Sequence, residues 1–358
     1  MTTPLGVQIT PWSNSRDLVE LGRRLSASFD VIWVQDQMLA RNVYVLLAGL
    51  AQAGCGVGTN VTYAVGRNPV EMASSAATIA ELVAPGREMV LGFGTGGALV
   101  NSLFAKRRPV TVAREAIVLM RALWAGEAVE LDGFPVLGET LGFRAGAVAR
   151  LTFPVERPPA VVVAGVGPKI QKVAATVADG MISASNLPTV SLAAFRCGRF
   201  AELCGLAAMR AIRPPELPPL RLIYGINLSV SADRAAARAQ ARRQAALTVS
   251  NPALWDDLAA VGLDIECAAS VKAAVDDGLG LAGAADRVSA ELADALVISG
   301  TPEEVVGPLL ELRGLAEAEG YTEFYIGAPL GPDPAEAAEL LRRDVIGEVW
   351  PERVPAAR

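Results

Sequence analysis

The amino-acid sequence predicts an α/β protein, a (β/α)8 TIM barrel with insertions between its strands. Three observations carry that expectation. Short runs rich in Val and Ile recur along the chain, and amphipathic helical stretches separate them. With 358 residues, 52% of them hydrophobic, the chain can also fill the large core such a fold needs. The runs lack the strict apolar–polar alternation of a sheet with one wet face, which suits strands covered on both sides. A doubly wound open sheet is the other arrangement these elements allow.

In chain order, the strands are expected at residues 5–10, 30–35, 55–62, 89–94, 160–165, 180–184, 220–230 and 323–328. A helix over 16–26 places Leu18, Leu21 and Leu25 on one side, at spacings of three and four. Helices over 69–82 and 109–124 each open on a proline, whose missing N–H is no loss in a first helical turn. Thr301-Pro302-Glu303-Glu304 starts another helix, with Thr301 as its N-cap. Residues 126–159 and 250–296 exceed what a plain barrel uses, and the second stretch reads as extra helices between strands seven and eight. Long insertions of this kind usually cover the barrel mouth or build a subunit interface. With no internal repeat and no low-complexity linker, one domain over residues 1–358 is expected.

The net charge of −6 argues against a nucleic-acid partner, which requires a clustered basic excess. The opening MTTPLGVQIT lacks the basic start and apolar run of a signal peptide, and no membrane-length apolar stretch follows. The expectation is a cytoplasmic protein acting on a small molecule, with no membrane partner. Cys55, Cys197, Cys204 and Cys267 are scattered without a CxxC pair, as reduced thiols would be. The absence of histidine excludes a His-containing metal site and a Ser-His-Asp triad, and no metal is expected.

Several segments, in order and over nearly the whole chain, carry a family likeness. They are Ile32-Trp33-Val34-Gln35-Asp36; Gly58-Thr59-Asn60-Val61-Thr62 followed by Arg67-Asn68-Pro69; Leu91-Gly92-Phe93-Gly94-Thr95-Gly96; Ala164-Gly165-Val166-Gly167-Pro168-Lys169 with Ala178-Asp179-Gly180; Ser299-Gly300-Thr301-Pro302; and Gly327-Ala328-Pro329-Leu330-Gly331-Pro332. Together they resemble the luciferase-like superfamily and, within it, the methylenetetrahydromethanopterin reductases that use coenzyme F420. The resemblance implies a deazaflavin cofactor, F420, with FMN as the alternative. It also implies a homodimer or higher homo-oligomer, for which the apolar helices over 70–82 and 110–123 offer an interface.

By the same resemblance, Asp36, Asn60, Val61, Thr62, Gly94, Thr95, Gly165, Val166 and Gly167 bind the cofactor. A bulge with a cis peptide between Asn60 and Val61 is implied behind its middle ring, and its phosphate is implied near Gly165-Val166-Gly167-Pro168. A glycine-rich turn into a helix N-terminus is chemically suited to an anion, although the bare pattern is also ordinary loop chemistry. The Gly92–Gly96 turn lacks the Gly-x-Gly-x-x-Gly spacing of a dinucleotide fingerprint.

Three positions depart from the family pattern. Gln8 stands where the reductases offer a glutamate, Gln37 where many members carry histidine, and Gly97 where an acidic residue is common. Neither an amide nor a glycine gives or takes a proton near neutral pH. The catalytic candidates are therefore Asp36, Gln37 and Gln8, with Asp36 open to a second role as a hydrogen-bond anchor. Tyr63 is a spare proton donor or a packing residue. Alcohol oxidation needs a base for the hydroxyl proton, whereas an iminium carbon accepts hydride without one. The expected activity is thus F420-dependent hydride transfer to or from an imine-like or activated-alkene acceptor. The alternatives are an FMN-dependent monooxygenase of the same fold and a cofactor-binding homologue that has lost catalysis.

Overall fold

A computed structural model of the chain describes residues 3–105, 107–165 and 167–353. The strands are β1 (Leu5–Ile9), β2 (Val31–Val34), β3 (Gly56–Tyr63), β4 (Met89–Gly94), β5 (Ala160–Ala164), β6 (Gly180–Ser183), β7 (Arg221–Val230), β8 (Ile298–Gly300) and β9 (Glu323–Leu330). They form one nine-stranded sheet in the order β8-β7-β9-β1-β2-β3-β4-β5-β6, with β6 and β7 also neighbours. This is the order of a (β/α)8 barrel with one extra strand, β8, paired in parallel to β7. The open doubly wound sheet is excluded. Each of the eight expected strands is present, its ends within two residues of the expected ones. The three-residue β8 was not foreseen, because Ile298-Ser299-Gly300 is too short to carry a pattern. Among the described residues, no helix is long and apolar enough to cross a membrane.

The chain forms two compact units. One comprises residues 8–182 and 208–221. Its helices begin as their caps dictate: the side chains of Asn14, Asn42 and Asn68 accept from backbone N–H groups of α1 (Ser15–Leu25), α2 (Val43–Gln52) and α3 (Pro69–Leu82). Arg87 secures the turn into β2 by donating to the carbonyls of Ser26, Phe29 and Asp30. The proline-led helix Pro109–Trp124 has its expected bounds. Its Ile117, Leu119, Met120 and Leu123 are buried, as are Met72, Ala76 and Ile79 of α3. The apolar residues that pointed to an interface on these helices are therefore core. The 126–159 insertion contributes a small antiparallel ribbon of Val129–Glu130 and Val148–Ala149 around the helix Pro135–Leu141.

Among the described residues, the second unit gathers residues 3–7, 183–207 and 222–353. Its strands β7 and β9 run in parallel, and Tyr224, Tyr321, Phe324 and Trp350 pack as a chain of tilted and edge-on rings. The 250–296 insertion is helical, as expected, and an alanine-rich face of the helix Arg234–Val249 packs against it. Thr301 and Glu304 form a capping box at the start of the helix Pro302–Ala318.

Strands covered on both faces bring backbones very close together. A Cβ placed on Gly92 would lie 2.0 Å from the Thr59 carbonyl oxygen, a backbone atom with no freedom to yield. Gly92→Ala should therefore destabilise the protein by about 3 kcal/mol. In contrast, the exposed helical Gly314 has open space around its missing Cβ, and Gly314→Ala should stabilise by about 0.5–1 kcal/mol. Denaturant melts of the two variants would show shifts of opposite sign, and a neutral Gly92→Ala would show the β3–β4 spacing to be softer than it is here.

Candidate active site

Most of the residues singled out in the sequence lie at the C-terminal ends of β2 to β5, within the first unit, and Gln8 lies near the end of β1. The register of β3 on β4 explains the local shape. Thr59 pairs with Leu91 and Thr62 with Phe93, so three steps along β3 answer two along β4. The extra residue makes a bulge at Asn60–Val61, and the peptide bond between them is cis. Asn60 and Val61 are half-buried in a strand otherwise buried along its length. Gly94, at the end of β4, lies against the bulge: a Cβ there would come 2.9 Å from Val61 Cγ2. Thr95 follows, half-buried.

Asp36 follows β2, and its carboxylate is almost wholly removed from water. Thr62 Oγ1 donates to it at 2.7 Å, and Arg67 Nε and Nη2 donate to its two oxygens at 2.6 Å each. The bidentate pairing suits a guanidinium, whose planar fork matches a carboxylate. Tyr44 lies beside the pair. Its ring centroid is 5.5 Å from the guanidinium carbon, and its hydroxyl is 3.5 Å from Thr62 Oγ1, which has already given its own proton to Asp36. Tyr63 donates to the Asp36 backbone carbonyl at 3.3 Å and packs with Met38, Val65 and Val100. It is a packed, engaged residue and not a spare donor.

The electrostatics follow from burial. Burial works against the Arg67 charge, but the hydrogen bonds and charge of Asp36 outweigh it and raise the guanidinium pKa. Burial pushes the Tyr44 phenol well above its usual range. Burial, then the negative charge of Asp36, pushes Tyr63 up to about 12.

The two glutamines stand apart from this cluster. Gln8 is buried, and its Oε1 accepts from Asn60 Nδ2 at 3.4 Å, so it borders the bulge directly. Gln37 is half-buried and donates to Gln35 at 3.3 Å. Past β5, Gly165 takes a positive φ of 152°, and a Cβ on it would sit 2.6 Å from Ile170 Cγ2. Gly167 is the N-cap of the helix Pro168–Val177, with open space where a side chain would be. Val166, also expected at the cofactor, lies outside the described residues. Arg67 and Tyr44 were not named as site residues. Arg67 could have been found by asking which cation answers a buried aspartate, because an unpaired one is not tolerated.

A sequence profile described as luciferase-like monooxygenase matches residues 3–328. The chain is 29% identical over 331 residues to the 5,10-methylenetetrahydromethanopterin reductase of Archaeoglobus fulgidus, an alignment spanning 89% of this chain and 91% of that one. Among solved structures, the coenzyme F420-dependent tetrahydromethanopterin reductase from Methanopyrus kandleri superposes with a TM-score of 0.72 at 19% identity, over 98% of this chain and 100% of that one. An F420-dependent secondary alcohol dehydrogenase, solved with an F420–acetone adduct, superposes with a TM-score of 0.66 at 20% identity, over 98% and 99%. At these identities, the structural likeness bears on the fold.

Two predictions follow from the cluster. Arg67→Met leaves the Asp36 carboxylate buried and unpaired, and should cost about 3–5 kcal/mol in urea denaturation. The double variant Asp36→Leu/Arg67→Met should recover most of that loss, and equal losses in single and double variants would deny the pairing. For Tyr63, the folded pKa of about 12 exceeds the ordinary 10, so the folded state holds the proton more tightly. Its contribution to stability is intact below about pH 10 and is lost as the pH rises through about 12. Thermal melts across that window should fall less steeply for Tyr63→Phe than for the parent protein, and parallel curves would refute the shift.

Proposed function

This chain belongs to the luciferase-like monooxygenase family and is an oxidoreductase, and we propose that it uses coenzyme F420 to move a hydride between deazaflavin C5 and a small, already electrophilic acceptor. The observation that carries the reading is a bulged, part-exposed Asn60–Val61 segment bordered by Gln8 and backed by the engaged Asp36 and Tyr63. Asp36 is bound by three donors, Tyr63 is engaged, and positions 8 and 37 are amides.

The side chains fit a planar cofactor. Val61 and the side-chain-free Gly94 make a smooth backing at the end of β3 and β4, and Gly167 leaves open room before a ten-residue helix. Asn60, Val61 and Thr95 would hold the ring system, and the backbone at Gly165 and Gly167 would hold a phosphate, favoured by the helix N-terminus. When bound, F420 supplies a carbon that gives or takes two electrons as hydride. Everything else falls to the chain. Gln8 and Asn60 orient a polar acceptor by hydrogen bonds without exchanging protons with it. The buried pair of Asp36 and Arg67 keeps net charge off the bulge. General acid–base help is typically worth about 10²–10⁴-fold in rate, so a site without it favours acceptors that need no proton in the same step. Iminium ions, protonated before the hydride arrives, and alkenes activated enough to leave a stabilised carbanion that solvent protonates later meet that condition, and simple secondary alcohols do not.

In this reading the enzyme works in the reducing cytoplasm, in keeping with four free cysteines, and assembles as a homo-oligomer. An FMN-dependent monooxygenase would use the same backing, and the description of the matching profile favours it as the second reading.

Fluorescence titration of the purified protein with F420 and with FMN separates the two readings. F420 should bind at least tenfold more tightly, and reversed preference would favour the monooxygenase. Reduced F420 should then be oxidised by members of an imine and activated-alkene panel, while F420 should not be reduced by secondary alcohols. Robust alcohol oxidation would overturn the proton argument, and tight binding without turnover of any acceptor would point to a cofactor-binding homologue.

A further inference from the structure

The β3–β4 ladder cannot itself position Asn60 and Val61, because its register slips across them. Beside the long Asn60–Gln8 contact and the Tyr63 bond to the Asp36 carbonyl, a short threonine hydrogen bond holds the bulge on either side. Upstream, Thr59 Oγ1 donates to the Gly92 carbonyl at 2.7 Å, tying β3 to β4. Downstream, Thr62 Oγ1 donates to Asp36 at 2.7 Å, tying β3 to the end of β2. The second tie is only as firm as its acceptor. Asp36 has a side chain 1% exposed and is gripped by Arg67, itself 14% exposed, through two bonds of 2.6 Å. Ionised carboxylates offer about four acceptor positions, and three are used here. Both charges are desolvated, an arrangement that serves a fixed geometry better than it serves stability.

We infer that Asp36, Arg67 and Thr62 form a latch that positions the Asn60–Val61 bulge, and that Asp36 acts as a positioning residue and takes no part in proton transfer. A proton carrier must exchange its proton with substrate or solvent, and this carboxylate faces two guanidinium N–H groups and a hydroxyl instead. The inference about cofactor placement rests on the F420 reading above; the inference about the bulge stands without it.

Thr62→Val is the mild test, because it removes one hydroxyl and leaves the ion pair whole. In the cofactor-free protein, hydrogen–deuterium exchange over residues 60–63 should rise at least tenfold, with exchange in residues 57–59 unchanged. Unchanged exchange over 60–63 would overturn the latch, whether or not the protein binds F420. If the wild type binds F420, Thr62→Val and Asp36→Asn should each weaken binding by about tenfold, and the double variant should lose no more than the weaker single variant, because both act through one tie. The pH profile of turnover should keep its shape in Asp36→Asn. Full binding by Thr62→Val together with a lost limb in the Asp36→Asn profile would make Asp36 a proton carrier and end the proposal. A wild type that binds no F420 would end the functional reading, and the exchange result would still decide the latch.

Discussion

A carboxylate withdrawn from water must be answered by a cation and by hydrogen bonds, and that demand at Asp36 organises the candidate site. The cation is Arg67, from the stretch leading into α3, so the connection after β3 is bound back to the end of β2. The remaining acceptor capacity draws in Thr62, and with it the strand that carries the bulge. Tyr44 and Tyr63 complete the surroundings, one along the guanidinium and the other on the Asp36 backbone. Each of these residues is held by its neighbours, so the end of β3 is over-determined although its ladder is broken. A polar cluster of this kind is costly when half-made and rigid when complete.

The same arrangement explains why an aspartate at a barrel mouth need not be a catalyst. Position in the fold brings it near the reacting region, as for most residues at the C-terminal ends of barrel strands. Availability decides its role, and the donors around Asp36 leave little of it available. Gln8 has the opposite character. It is less tightly bound, touching Asn60 through one long hydrogen bond, and so is freer to meet a ligand.

Much of the fold was legible in the sequence because parallel strands buried on both faces must be short and β-branched, and Val161-Val162-Val163 or Val31-Ile32-Trp33-Val34 can hardly be anything else. Helix starts at Pro69 and Pro109 were legible for an equally local reason, the fixed φ and missing N–H of proline. What escaped was non-local or too brief. β8 has three residues, and the ribbon strands Val129–Glu130 and Val148–Ala149 have two each. The pairing of Asp36 with Arg67 spans 31 positions and leaves no periodic trace. The apolar faces of α3 and of Pro109–Trp124 were visible, but a pattern of apolar residues does not say whether a partner subunit or the chain itself will cover them, and here the chain does. Tyr63 was ambiguous for the same reason: its partner is a backbone carbonyl, which sequence does not display.

Sequence and geometry arrive at the chemistry by separate routes. Composition removes histidine from the whole chain and places amides at positions 8 and 37. Geometry then removes Asp36 and Tyr63 as free proton carriers, by a guanidinium in one case and by burial in the other. Neither argument needs the other, yet both point to a surface that orients and polarises by hydrogen bonding. On the proposed hydride-transfer reading, rate at such a surface must come from placing two carbons at reacting distance, where the entropy of alignment is supplied in advance by binding. That places the heaviest demand on the rigidity of the bulge, because a small misplacement would be offset by no other catalytic contribution. The charge-neutral cluster behind Asn60–Val61 meets that demand: its opposite charges cancel in net, and its hydrogen bonds tie the strand end to the end of β2.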